Sequence, residues 1–282
     1  MTSADSSKAS DPKAVVSNGT KPKKKPLNWK MAIILSVWTY GAYLLASLIT
    51  GGVLQLLSFL GVDFSSVGQV LFSTIIQLVL YILAMIIAIG VPFWLFKNKT
   101  TLKDLGLNDL ISWLDIGIAV PAYVVYMVIN VFVMMLVTQL PFVDTTQAQQ
   151  LPFDQAMFFS PTQYILIFFT LVILAPIAEE ALFRGYLFGK IRPLSPFWVA
   201  TLATSLTFGF AHLWTGPGAP LQWIVAVDTF VLSLVLCLLR EHTGAIWAGV
   251  MVHAIKNGIA FYFLYISPQM LDQIKAGIIL FL

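Results

Sequence analysis

Seven long apolar stretches constrain the fold of this chain more than any other feature of its sequence. A helix needs about twenty apolar residues to cross ~30 Å of hydrocarbon. Only 10% of the residues are charged, against about a quarter in soluble proteins. Helices satisfy their own backbone hydrogen bonds in lipid, so the sequence predicts an all-α, polytopic transmembrane helical bundle. The predicted spans are roughly 31–60, 68–96, 113–140, 162–188, 196–214, 220–239 and 245–266.

The two ends of the chain differ from these spans. Residues 1–28 are rich in Ser, Lys, Pro and Asp, and a segment of this kind cannot bury enough apolar surface to fold. They predict a disordered, lysine-rich cytoplasmic tail, and residues 29–282 predict a single membrane domain. Within that domain, 270–282 contains Asp272 and Lys275 and is short for a span, so it is either interfacial or the start of an eighth helix.

Basic residues in the loops predict the orientation of the bundle. With the amino terminus inside, Lys97, Lys190, Arg192 and Arg240 all fall in inner loops, and the outer loops hold no Lys or Arg. Basic loops favour the cytoplasmic side, which predicts a cytoplasmic amino terminus and a multi-pass protein of the cell membrane. The segment KPKKKPLNWK before the first span is expected to lie against the anionic surface of the lipid bilayer.

The charge distribution gives no sign of a nucleic-acid partner, and the cysteine content excludes an intrachain disulfide. The net charge is +3, and seven of the thirteen lysines lie in the first thirty residues, so no nucleic-acid partner is predicted. The single cysteine, Cys237, excludes an intrachain disulfide.

A small set of polar residues interrupts the later spans. Ionisable groups inside a membrane cost at least a few kcal/mol unless they are paired or wetted, so they mark a functional site by default. At ~1.5 Å per residue, Glu179 and the polar residues of the fifth and seventh spans fall in one layer near the middle of the bilayer, where they can converge. The set comprises Glu179, Glu180 and Arg184 on the fourth span, His212 on the fifth, and His253 and Asn257 on the seventh.

Helical spacing separates the two glutamates. Glu180 and Arg184 are four residues apart and share a face, which predicts a paired structural carboxylate. Glu179 points about 100° away and has no partner on its own helix, so it is the candidate for chemistry. The same spacing places His253 beside Asn257, and Phe208 beneath His212.

These residue types suit hydrolysis. A carboxylate with an imidazole can deprotonate a water, while a second imidazole and a carboxamide can stabilise an oxyanion. Two His and one Glu are equally a zinc triad with an open position for water. Spacing alone leaves both alternatives open.

Three motifs then carry a resemblance to a known family. EEALFR fits EExxxR, FGFAH fits FxxxH and HAIKN fits HxxxN. In their order and approximate separations they resemble the CAAX-protease and bacteriocin-processing (CPBP, or ABI) family of intramembrane endopeptidases. The resemblance covers roughly residues 160–260, the expected catalytic core.

The resemblance implies a role for each motif residue. Glu179 and His212 would activate the attacking water, and His253 and Asn257 would stabilise the oxyanion. Members have been described both as metalloproteases and as metal-independent glutamate proteases. Asn257 beside His253 favours the second description, with no cofactor, and a zinc ion on Glu179, His212 and His253 is the alternative. The supporting residues would be Glu180, Arg184 and Phe208.

The expected substrate is a membrane-associated protein or peptide, which is prenylated in the case of the eukaryotic members. Two rival functions remain at this point. One is a proton-coupled transporter in which Glu179 and the histidines form a relay. The other is a non-catalytic immunity or scaffold protein of the same fold.

Two further expectations concern the surroundings of the site. Asp228 on the sixth span and Lys256 on the seventh lie at one depth and predict a structural ion pair, although Lys256 could instead bind a substrate carboxylate. A polar cavity is expected among spans four to seven, opening toward the basic loops, with the first three spans serving only as scaffold.

Overall fold

The computed structural model describes residues 27–144, 153, 159–214 and 218–270. Within these residues the chain forms seven apolar helices and no strand. Residues 1–26 of the predicted tail and 271–282 of the possible eighth helix lie outside the described residues. The helices are α1 (Trp29–Phe59), α2 (Gln69–Phe96), α3 (Trp113–Val137), α4 (Pro161–Ile191), α5 (Phe197–Ala211), α6 (Trp223–Thr243) and α7 (Trp247–Ile266).

Six of these helices are long and apolar enough to cross a membrane, which indicates a multi-pass membrane protein. All seven predicted stretches form helices, but α5 has only 15 residues. At ~1.5 Å per residue it is about 22 Å long, short of the ~30 Å hydrocarbon thickness. The expected seven full spans are therefore confirmed only as six long helices and one short one.

Polar residues mark where several helices begin, and a glycine marks the end of α6. Asn28 before α1, Ser112 before α3 and Ser160 before α4 each accept a hydrogen bond from a backbone N–H of the first turn. These N–H groups have no partner within the helix. Gly244 ends α6 with a φ of +72°, a left-handed conformation that glycine adopts without a steric penalty.

Helices that follow one another in the chain run antiparallel, and side-chain contacts tie their loops together at each end. At one end, the Lys190 ammonium donates to Asn98 Oδ1 at 3.3 Å, and Arg192 pairs with Glu241 at 2.6 Å. At the opposite end, the Tyr265 hydroxyl donates to the Phe153 carbonyl at 3.0 Å. The loops with Lys or Arg thus gather at the first end, here called the basic end, as the charge pattern predicts.

Helix α4 carries two glutamates through the centre of the bundle and is not a regular α-helix. Its segments Phe169–Leu174 and Ala181–Phe188 have π-type hydrogen bonding, and Ala175–Glu180 between them is α-helical. Every residue from Ala181 to Phe188 is buried. Such π segments are rare and frequently mark functional sites.

The loop between α2 and α3 packs directly on α4 at the basic end. A Cβ atom at Gly185 would lie 2.9 Å from the Leu105 carbonyl oxygen, and one at Gly189 would lie 2.6 Å from that of Asp104. Only glycine permits this approach. The loop therefore covers the inner part of α4 next to the glutamates.

Candidate active site

Glu180 and Arg184 form a fully buried ion pair on α4. Arg184 Nη1 lies 3.0 Å from Glu180 Oε1, and both side chains are 0% exposed. The guanidinium carbon lies 4.3 Å from the centre of the Phe208 ring, in the range of a cation–π interaction. The pairing predicted from the four-residue spacing is confirmed.

Glu179 points away from Arg184, toward two histidines on other helices. Its Oε2 atom lies 3.9 Å from His212 Nε2 and 3.8 Å from His253 Nε2. The Glu179 side chain is 16% exposed, so it is accessible while its neighbour Glu180 is not. The three residues that the sequence placed at one depth therefore meet around one carboxylate oxygen.

Hydrogen bonds to the other ring nitrogens orient both histidines. His212 Nδ1 lies 2.9 Å from the Phe208 carbonyl, and His253 Nδ1 lies 3.2 Å from Glu180 Oε1. A carbonyl or carboxylate oxygen only accepts, so we assign the proton to Nδ1 in both rings. Each Nε2 atom is then presented to Glu179, and the buried ion pair holds His253 in place.

Asn257 lies on the same face of α7 as His253, and one of its hydrogen bonds is to the backbone of α4. Its Nδ2 donates to the Leu171 carbonyl at 2.9 Å. In a π segment the partner of this carbonyl would be the N–H five residues later, which is position 176, and Pro176 has none. Asn257 therefore satisfies a backbone acceptor that the proline leaves open. Its amide group has a second N–H, and Asn257 lines the cavity beside the histidines.

The Phe208 ring packs against the rings of both histidines. Its ring centre lies 4.7 Å from that of His212 and 5.9 Å from that of His253, both in edge-on arrangements. The ring is fully buried. Phe208 thus packs against Arg184 and both histidine rings, and its supporting role stays a prediction.

Tyr81 on α2 belongs to the site and was not predicted. Its hydroxyl donates to Glu179 Oε1 at 2.9 Å. The expectation that the first three spans serve only as scaffold is therefore wrong for α2. A usable signal existed, because Thr74, Gln77 and Tyr81 are spaced by three and four residues and so share one face of an apolar helix.

A cavity of about 210 Å³ adjoins these groups, lined by all four predicted catalytic residues and by Tyr81. Its polar wall also includes Gln77, Thr229 and Lys256. The volume is below the ~300–1,000 Å³ of ligand pockets and is larger than a few water molecules require.

The cavity extends away from the basic end. Among its lining residues, Leu171 precedes Glu179 on α4, and Tyr265 follows His253 on α7. Both directions lead to the end opposite the basic loops. The lining residues therefore lie toward the end opposite the basic loops, and the expected opening toward the basic loops stays a prediction.

Asp228 and Lys256 form the predicted ion pair, and Lys256 lines the cavity. Lys256 Nζ lies 3.0 Å from Asp228 Oδ2. The other carboxylate oxygen accepts hydrogen bonds from Tyr126 and from Asn130, both on α3. Helix α3 thus stabilises the pair, a contribution that the sequence did not reveal.

The sequence did not decide whether Glu179, His212 and His253 bind a zinc ion. Across residues 27–144, 153, 159–214 and 218–270, no group of three or more His, Cys, Asp or Glu side chains is arranged to hold a metal ion. We therefore derive no step through a metal.

Comparison with known proteins supports the resemblance drawn from the motifs. Residues 161–259 match the model of the family described as type II CAAX prenyl endopeptidase Rce1-like. No curated protein and no solved structure matches the chain. The matched segment contains both glutamates, both histidines and Asn257, whereas Tyr81 lies outside it.

Proposed function

We propose that this chain is an intramembrane endopeptidase that hydrolyses a peptide bond of a membrane-associated protein or peptide. The observation that carries the proposal is the meeting of Glu179 Oε2 with both histidine Nε2 atoms, at 3.8 and 3.9 Å, on the wall of a cavity. The match of residues 161–259 to a family of CAAX prenyl endopeptidases supports the same reaction.

The first step is activation of a water by Glu179 and His212. A water at the cavity wall donates one hydrogen bond to Glu179 Oε2 and a second to His212 Nε2, which is an acceptor while Nδ1 holds the ring proton. Glu179 takes a proton as the water attacks the substrate carbonyl. It later returns that proton to the leaving amine, as a general base that becomes a general acid.

The second part of the mechanism is stabilisation of the oxyanion by His253 and Asn257. His253 donates from Nδ1 to Glu180, and when its ring takes up a second proton, Nε2 donates toward the cavity. Asn257 contributes the N–H that is not used by Leu171. Donors held in place before the reaction stabilise developing charge most effectively, and Glu180 and Leu171 supply that fixation.

A covalent intermediate is not part of this proposal. No Ser or Cys is among the described residues that line the cavity. The Thr229 hydroxyl donates to the Val225 and Ala226 carbonyls of its own helix, so it is not activated by a histidine as a nucleophile would be. Direct attack by water is the step that the described groups support.

The proposal can be tested with purified protein in lipid vesicles, using a panel of prenylated and unprenylated membrane-associated peptides. We expect wild type to cleave at least one peptide, and Glu179→Gln to lose a hundredfold or more in kcat, as for loss of a general base. Glu241→Gln is the matched control, because Glu241 pairs with Arg192 at the basic end. Equal cleavage by wild type and Glu179→Gln would overturn the mechanism.

The same vesicles test the alternatives. Loss of cleavage with EDTA, and its recovery with zinc, would favour a zinc-dependent version of the hydrolysis. Proton-coupled solute flux that is lost in Glu179→Gln, without cleavage of any peptide, would favour a transporter. Biological function that survives Glu179→Ala with His212→Ala would favour a scaffold or immunity protein.

A further inference from the structure

We propose that Tyr81 is a positioning residue that fixes the carboxylate of Glu179 for catalysis, an inference that rests on the proposed function. The Tyr81 hydroxyl donates to Glu179 Oε1 at 2.9 Å. The other oxygen, Oε2, is the one near both histidines. The two oxygens of one carboxylate therefore have separate tasks, one anchored to α2 and one turned to the reacting water.

A second contact fixes α2 in the register that this anchoring requires. Thr74 Oγ1 and Thr170 Oγ1 are hydrogen-bonded at 2.9 Å, and both residues are buried. Thr74 lies seven residues before Tyr81, which is two helical turns on the same face. The α2–α4 pair is thus joined at two levels, and rotation of α2 would break both contacts.

The anchoring matters because a carboxylate on a flexible side chain has several rotamers. Without a donor at Oε1, Glu179 can rotate its carboxylate and change the direction of Oε2 toward the water. A small misplacement of a catalytic group lowers the rate of the chemical step strongly. It has a much smaller effect on the affinity for the substrate. Tyr81 also lies on the wall of the cavity that Glu179 lines.

The kinetic test uses Tyr81→Phe with a peptide that wild type cleaves. We expect kcat to fall by roughly ten- to a hundredfold, the range for a hydrogen bond to a charged group, with KM changed less than about twofold. Tyr43→Phe is the matched control, since Tyr43 is a partly buried tyrosine that makes no hydrogen bond to Glu179 among the described residues, and it should keep wild-type kcat. An unchanged kcat for Tyr81→Phe, or a rise in KM alone, would overturn the proposal.

A double variant separates positioning from general damage. In Glu179→Asp the shorter side chain draws the carboxylate away from Tyr81, so the hydrogen bond is already lost. Adding Tyr81→Phe to that variant should then cost little further rate, because coupled residues are not additive. A full additional loss would show that Tyr81 acts independently of Glu179 and would overturn the positioning role.

A spectroscopic test does not depend on finding a substrate. The chain has only three glutamates, Glu179, Glu180 and Glu241, so isotope-labelled glutamate gives three carboxylate signals in the infrared. The signal missing from Glu179→Gln should shift in Tyr81→Phe and stay unchanged in Tyr43→Phe. An unshifted signal would overturn the contact itself. A shifted signal with unchanged kcat would refute the positioning role, and failure of wild type to cleave any peptide would count against the proposed function alone.

Discussion

Lys256 Nζ lies 3.0 Å from Asp228 Oδ2 across the interface of α6 and α7, and each side chain is 18% exposed. The carboxylate also accepts from Tyr126 and Asn130 on α3. One ion pair therefore joins three helices beside the cavity. The charge of Lys256 is balanced by this partner, which favours a structural role over capture of a substrate carboxylate.

Breaking this pair should destabilise the bundle. Asp228→Ala leaves the Lys256 ammonium without its anion and should lower the free energy of unfolding by about 2–3 kcal/mol, less than the 3–5 kcal/mol of a fully buried pair. Lys256→Met in the same chain removes the unpaired charge and should recover part of that loss. Denaturant unfolding in detergent measures both effects. A double variant no more stable than Asp228→Ala would contradict the structural assignment.

Breaking the buried pair Glu180–Arg184 should lower the free energy of unfolding more than breaking the pair Asp228–Lys256. Both side chains are 0% exposed, so Glu180→Gln leaves a buried guanidinium unpaired, at a cost of about 3–5 kcal/mol. It also replaces the charged acceptor of His253 Nδ1 with a neutral amide oxygen, and activity should fall as well. The neutral combination of Glu180→Gln with Arg184→Met should regain stability without regaining activity. If activity returned with stability, His253 would not depend on the charge of Glu180.

Helix α7 packs closely on Glu180 at Gly249 and has more space at Gly258, so alanine substitutions at these two glycines can be compared. A Cβ at Gly249 would lie 3.0 Å from Glu180 Oε2, whereas the nearest atom to a Cβ at Gly258 is 3.7 Å away. Gly249→Ala should displace a carboxylate that is already held by two partners, costing about 1–2 kcal/mol and reducing activity. Gly258→Ala should be neutral or stabilising by about 0.5–1 kcal/mol. Thermal unfolding and peptide cleavage of the two variants make the comparison, and equal behaviour would contradict it.

Local geometry explains which contacts the sequence could predict. Glu180 and Arg184 are separated by one helical turn, and that spacing holds wherever the helix lies. Asp228 and Lys256 were found from depth, since adjacent antiparallel helices bring residues of equal depth together. The first inference needs only the helical repeat, and the second needs only the positions of the helix ends.

Contacts that depend on helix rotation and loop packing could not be predicted in the same way. Tyr81 reaches Glu179 because α2 turns one face toward α4, and the sequence does not specify which helices are neighbours. The close approach of Leu105 and Asp104 to Gly185 and Gly189 likewise depends on how a loop packs on α4. The roles of the motif residues in catalysis stay predictions until cleavage is measured.

The link between Asn257 and Pro176 gives a prediction that separates structure from catalysis. Asn257→Ala removes the donor to the Leu171 carbonyl and leaves a partly buried acceptor unpaired, at a cost of about 1 kcal/mol. It also removes an oxyanion donor, worth about a hundredfold or more in kcat. Pro176→Ala returns a backbone N–H at the position five residues after Leu171. In that background Asn257→Ala should cost less stability, while the loss in kcat should be unchanged. Unfolding and cleavage assays on the four proteins of this cycle test both parts. A kcat that recovers together with stability would show that Asn257 acts only by holding α4, and would remove it from the oxyanion site.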